Sequence, residues 1–73
     1  MLAHKIREKC EARGMTLARL EVEAGIAPRN IFRWGDEQDK ENNKDVVFVM
    51  PAADKLARVA AVLGTTSEEL LKN

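Results

Sequence analysis

Tyrosine is missing from the chain, and its 73 residues hold one tryptophan, two phenylalanines, one histidine and one cysteine. With so few aromatic residues, and only 4 Gly and 2 Pro for turns, an all-β sandwich or barrel is excluded. A lone Cys10 has no partner for an internal disulfide. With His4 as the only histidine it cannot supply half of a zinc site. That usage fits a reducing, cytoplasmic setting. No apolar run approaches the roughly 18 residues that a membrane span needs. The start, Met1-Leu2-Ala3, passes at once to His4, Lys5 and Arg7, so no secretory leader is expected. Catalytic sets are missing too. No Ser/His/Asp or Cys/His group, paired carboxylates or Gly-rich phosphate loop can be assembled, so neither an enzyme nor a cofactor is expected.

What remains is a helix-friendly composition, 45% hydrophobic and 33% charged, suited to one small globular domain over residues 1–73. The formal net charge of zero hides an uneven distribution. Residues 1–34 carry seven basic side chains against four acidic ones; residues 35–50 carry two against five. A basic half beside an acidic middle calls for a physical reason.

Periodicity predicts five short helices. Leu2, Ile6 and Cys10 recur every four residues and mark a first helix that Gly14 stops. Thr16 caps a second, with Leu17, Leu20 and Ala24 on one face and Gly25 at its end. Pro28 opens a third, with Ile31 and Trp34 inward, and Gly35 stops it. Residues 36–45 hold no apolar side chain and read as a solvated acidic loop. Val46-Val47-Phe48-Val49-Met50 then reads as a short strand with no partner strand in the chain. Pro51 opens a fourth helix carrying Leu56, Val59, Ala60 and Leu63 up to Gly64, and Thr66 with Glu69 fits a capping box for a fifth. Two helices clasped at a glycine corner, residues 16–35, form a helix-turn-helix, followed by an insertion at 36–50.

In this order and spacing, Ile6-Arg7, Gly14-Met15-Thr16, Leu20, Ala24-Gly25-Ile26, Ile31, Trp34 and the later Leu56…Val59-Ala60…Leu63-Gly64 with Leu70-Leu71 resemble the Cro/phage-repressor family. The resemblance (to XRE-type, lambda-repressor-like helix-turn-helix domains) covers 2–35 and 51–71. It implies an all-α, five-helix DNA-binding domain, here with a long acidic loop and a short strand between helices 3 and 4. It also implies a sequence-specific transcriptional regulator, whose third helix enters the major groove of double-stranded DNA as part of a homodimer. The base-reading positions it implies are Pro28, Arg29, Phe32 and Arg33. The two arginines, four apart and on one helical face, would contact guanine edges. Asn30 would meet a phosphate or an adenine edge. Phe32 meets a thymine methyl if exposed and joins the core if not. Thr16, at a helix N-terminus, would hold a phosphate. No small-molecule effector and no membrane partner is implied. The family pattern is departed from at Leu17 (often Gln), Glu21 (usually small), Gly35 (usually acidic) and in the length of the acidic connection.

Val46, Val47, Phe48 and Val49 have two readings: a cover folded over the chain's own core, or a dimer contact made by an exposed strand edge. The rival to DNA binding is a non-enzymatic protein-interaction module on the same fold, working through the insertion 36–50.

Overall fold

A computed structural model of the chain describes residues 2–45 and 47–72, with Glu37 described in its backbone alone. Five α-helices are present among the described residues: α1 (Leu2–Ala12), α2 (Leu17–Ala24), α3 (Glu37–Asn42), α4 (Ala53–Val62) and α5 (Ser67–Leu71). Three of them, α1, α2 and α4, match the apolar stripes, and α5 follows the cap expected at Thr66. Leu2, Ile6 and Cys10 of α1, Leu20 and Ala24 of α2, Leu56, Val59 and Ala60 of α4, and Leu70 of α5 are buried in one shared core. Ile26, Ile31, Trp34 and Leu63 complete it. α2 lies against α4, and α1 bridges α2 and α5.

The ends of these helices follow local chemistry. The Thr16 hydroxyl accepts from the Arg19 N–H at 3.1 Å, which caps α2. Gly25 closes α2 at φ 70°, letting the Ile26 N–H donate to the Glu21 carbonyl at 2.8 Å. Thr66 caps α5 by accepting from the Glu69 N–H at 3.2 Å. α4 begins two residues after Pro51, at Ala53, and its Ala52 cap contributes no side-chain hydrogen bond. Cys10 is 1% exposed, and burial, aided by Glu11, pushes its thiol pKa up.

Two sequence expectations are corrected. The first concerns the acidic run, which contains a helix and not only a loop. Asp36 and Asp39 form a reciprocal capping box: Asp36 Oδ1 accepts from the Asp39 N–H at 2.9 Å, and Asp39 Oδ2 accepts from the Asp36 N–H at 3.0 Å. Asp39 Oδ2 also accepts from the Leu2 N–H at 3.1 Å. One carboxylate thus closes α3 and caps the amino end of α1, where the helix dipole favours negative charge. Residue periodicity could not show this, because α3 is held by caps and not by an apolar stripe.

The second correction is the third helix. From Pro28 to Trp34 only Ile31–Arg33 is helical, as a single 3₁₀ turn. Arg29 sits in the left-handed region at φ 65°, which breaks any helix begun at Pro28. Downstream, residues 33–35 are taken by the end of the insertion. Val49 donates to the Arg33 carbonyl at 2.8 Å and accepts from the Gly35 N–H at 3.0 Å, a parallel bridge centred on Trp34 and Val49. Inter-strand pairing therefore wins over helix propagation at Trp34, whose backbone is extended at φ −70°, ψ 132°. The strand reading of 46–50 reduces to this one bridge. Val46 lies outside the described residues.

Gly35 is more than a stop. A β-carbon built there would lie 2.7 Å from Cγ and Cδ1 of Phe48, so the ring rests directly on the glycine backbone. Phe48 is only 7% exposed, which favours the reading of a cover folded over the chain's own core.

Two outcomes follow. Gly35→Ala displaces the Phe48 ring and costs about 1–3 kcal/mol in urea unfolding, the range for overpacking a filled site. Burial alone would raise the Asp39 pKa, but the N–H donors of Leu2 and Asp36 outweigh it and hold the carboxyl below its ordinary value. Its contribution to stability is therefore complete above the ordinary carboxylate range. It is lost as pH falls through the lowered folded value. Asp39→Asn flattens that acid limb in a pH series of unfolding midpoints; an unchanged limb would assign it to other groups.

Candidate nucleic-acid interface

The turn that follows α2 carries most of the residues singled out for DNA contact. It is fixed from beneath by Glu21. This side chain is 7% exposed, and its Oε2 accepts from the Asn30 N–H at 3.0 Å and from the Ile31 N–H at 3.2 Å. They are the N–H groups of the N-cap and of the first residue of the 3₁₀ turn, whose own cap, Asn30, contributes no side-chain hydrogen bond. A buried carboxylate with two N–H donors is a charge-assisted clamp on the start of the 3₁₀ turn. Ile31, fully buried, anchors the same turn in the core.

On this base the outer side chains point to solvent. Pro28, Arg29 and Arg33 are exposed, and Phe32 is 52% exposed. Phe32 is therefore not core. The Arg33 guanidinium lies 5.8 Å from the centroid of the Phe32 ring, within cation–π range. Among the described residues neither Arg29 nor Arg33 is paired with a carboxylate; the ion pairs there are His4–Glu8 and Arg19–Glu23. Asn30 is half-buried, its backbone N–H committed to Glu21. Thr16 is exposed on the first turn of α2, its hydroxyl oxygen already accepting the cap hydrogen bond.

The expectation that Arg29 and Arg33 share one helical face is corrected, since no helix joins them. The structure groups Asn30 and Arg33 instead with Lys55, around a cleft of about 240 Å³ that Trp34, Val49, Met50, Pro51 and Ala52 also line. Lys55 was not singled out from the sequence, and Glu21 only as a departure from the family pattern. Glu21 left a signal: it lies one turn beyond Leu17 and next to buried Leu20, where a charge needs a partner. Lys55 left none, because its proximity to Arg33 depends on how the insertion returns. Of the four residues offered as dimer contacts, Val47 and Val49 are 86% and 48% exposed, and Phe48 is turned inward.

Among the described residues no group of three or more His, Cys, Asp or Glu is placed to hold a metal ion. No helix among them is long and apolar enough to cross a membrane. No protein-family model, curated protein or solved structure matches the chain.

Removing the clamp tests this geometry. Glu21→Ala leaves the buried Ile31 N–H and the half-buried Asn30 N–H without their acceptor and costs about 1–3 kcal/mol. Hydrogen exchange at Asn30 and Ile31 accelerates, while that of α4 follows global stability alone. Glu21→Gln, which keeps one acceptor oxygen, loses less. Arg29→Gly relieves the positive φ and raises stability by about 1 kcal/mol.

Proposed function

We propose that the chain is a sequence-specific DNA-binding transcriptional regulator of the phage-repressor type, acting in the cytoplasm. It reads the major groove with the exposed turn 28–33, not with a third helix. The observation that carries this reading is the pairing of a rigid base with free cations. Glu21 and Ile31 hold the turn, while Arg29 and Arg33 stand outward without acidic partners among the described residues. Arg29 adds weight. It occupies a backbone conformation that glycine would adopt at less cost, a sign that the side chain is kept for its use.

In this reading Arg29 and Arg33 make bidentate contacts to guanine O6 and N7, each contributing about 1–3 kcal/mol of discrimination. Phe32 lies beside a thymine methyl. Thr16 and Lys55 meet backbone phosphates on either side, and Asn30 contributes from the cleft it shares with Lys55. Because the net charge is zero, sequence-independent attraction is weak, and most affinity comes from the site itself.

The rival reading, a protein-interaction module working through 36–50, is favoured by the exposure of Val47, Val49 and Met50 at 86%, 48% and 40%. One experiment separates the two. The full chain is titrated with duplexes selected from a randomised pool, at two salt concentrations. The DNA reading expects an enriched motif, with affinity falling as salt rises. Arg29→Ala combined with Arg33→Ala lowers affinity at least about thirtyfold while the far-ultraviolet dichroism is unchanged. Lys55→Ala reduces the salt slope by about one contact without altering the motif. No enrichment at low salt, or full affinity in the double variant, would reject it in favour of the rival.

A further inference from the structure

The cleft of about 240 Å³ beside the turn 28–33 is unbalanced in charge. Arg33 and Lys55 contribute two cations to its lining, and among the described residues no acid lines it. Asp54, the acid in the first turn of α4, lies outside the lining. Neither cation is in an ion pair among the described residues. The other walls are mainly apolar: Trp34, Val49, Met50 and Pro51. Val49 and Met50 are half-exposed, so part of this apolar surface stands in water when the cleft is empty.

The cleft is also built before any ligand arrives. The Val49 N–H donates to the Arg33 carbonyl and its carbonyl accepts from the Gly35 N–H, so the bridge fastens one wall to the other. Asn30 is held by Glu21 through its backbone N–H, and Pro51 is buried. A ligand entering such walls has little ordering to offset.

We infer that the cleft binds a small monocarboxylate with an apolar body. Charge selects the anion: a guanidinium offers a carboxylate two parallel N–H donors, and an ammonium adds a point charge. The walls select the body, because a bare inorganic anion would leave them wet. Size sets the limit. The volume falls below the roughly 300–1,000 Å³ of sites for drug-sized ligands, which suits a single ring or a short chain. Arg33 and Lys55 are also the groups offered to DNA, so an occupied cleft withdraws them, and ligand and duplex weaken one another's binding. That competition rests on the proposed function; the affinity of the cleft for a carboxylate does not.

Phenylacetate, phenylacetamide and inorganic phosphate, titrated separately into the full ¹⁵N-labelled chain at fixed ionic strength without DNA, test the site. Phenylacetate is expected to give saturable amide shifts at Trp34, Val49, Met50 and residues 52–55, half complete at about millimolar concentration. Phenylacetamide has the ring without the charge and phosphate the charge without the ring; each binds at least about fivefold more weakly. Lys55→Ala and Met50→Ala each weaken phenylacetate at least about threefold. Both positions are exposed, so the dichroism of the variants is unchanged. With a selected duplex present, phenylacetate at about three times its Kd lowers the apparent DNA affinity about fourfold. Met50→Ala leaves DNA affinity itself unchanged and blunts that effect. Absence of saturable shifts, or shifts centred elsewhere, would overturn the site. Phenylacetamide or phosphate binding as tightly as phenylacetate would overturn it too. Saturable binding with undiminished DNA affinity sustains the site and overturns the competition. A chain that binds no duplex overturns the competition together with the proposed function, while the titration without DNA still decides the site.

Discussion

One carboxylate decides the shape of the exposed turn. Glu21 accepts from two consecutive backbone N–H groups and so performs, from the body of α2, the work that a capping residue before the turn would otherwise do. The direction of the side chains from Pro28 to Arg33 depends on this contact. A carboxylate that has left water needs donors to offset its desolvation, and two oriented amides supply them. The result is a rigid connection with very few residues. That matters in a small domain, where the core has little stabilisation to spare for ordering loops.

A second carboxylate plays a comparable part elsewhere. Asp39 ties α3 to the amino end of α1, 37 residues away in sequence. Both acids occupy places where a helix begins and its N–H groups lack partners. The molecule uses long-range acidic caps to fasten elements that have no apolar face to bury. The acidic insertion is thereby part of the architecture and not an appendage to it.

Much of this could be read in the order of residues. The stripes of α1, α2 and α4 turn inward the side chains that periodicity assigns there, with Leu17 only half-buried, and Thr16, Gly25 and Thr66 mark boundaries through their own chemistry. The exposure of Arg29 and Arg33 was legible from the inward assignment of Ile31 and Trp34. The third helix was not. Pro28 and the spacing of Ile31 and Trp34 fit a helix, yet Glu21 and Val49 compete for the same backbone groups from positions that no local window contains. α3 escaped for the opposite reason: its stabilisation is local, but it lies in a pair of aspartates inside a run without hydrophobic contrast. The likeness to phage repressors rests on residues of the core and corners, which specify packing more strongly than they specify what the surface meets.

The placement of Cys10 has a practical consequence. A thiol held inside the core, and kept from ionising by its surroundings, reacts with alkylating reagents only when α1 lifts away from its neighbours. Since it is the sole sulfhydryl, its labelling rate clocks how often the natural molecule opens, with no engineered probe.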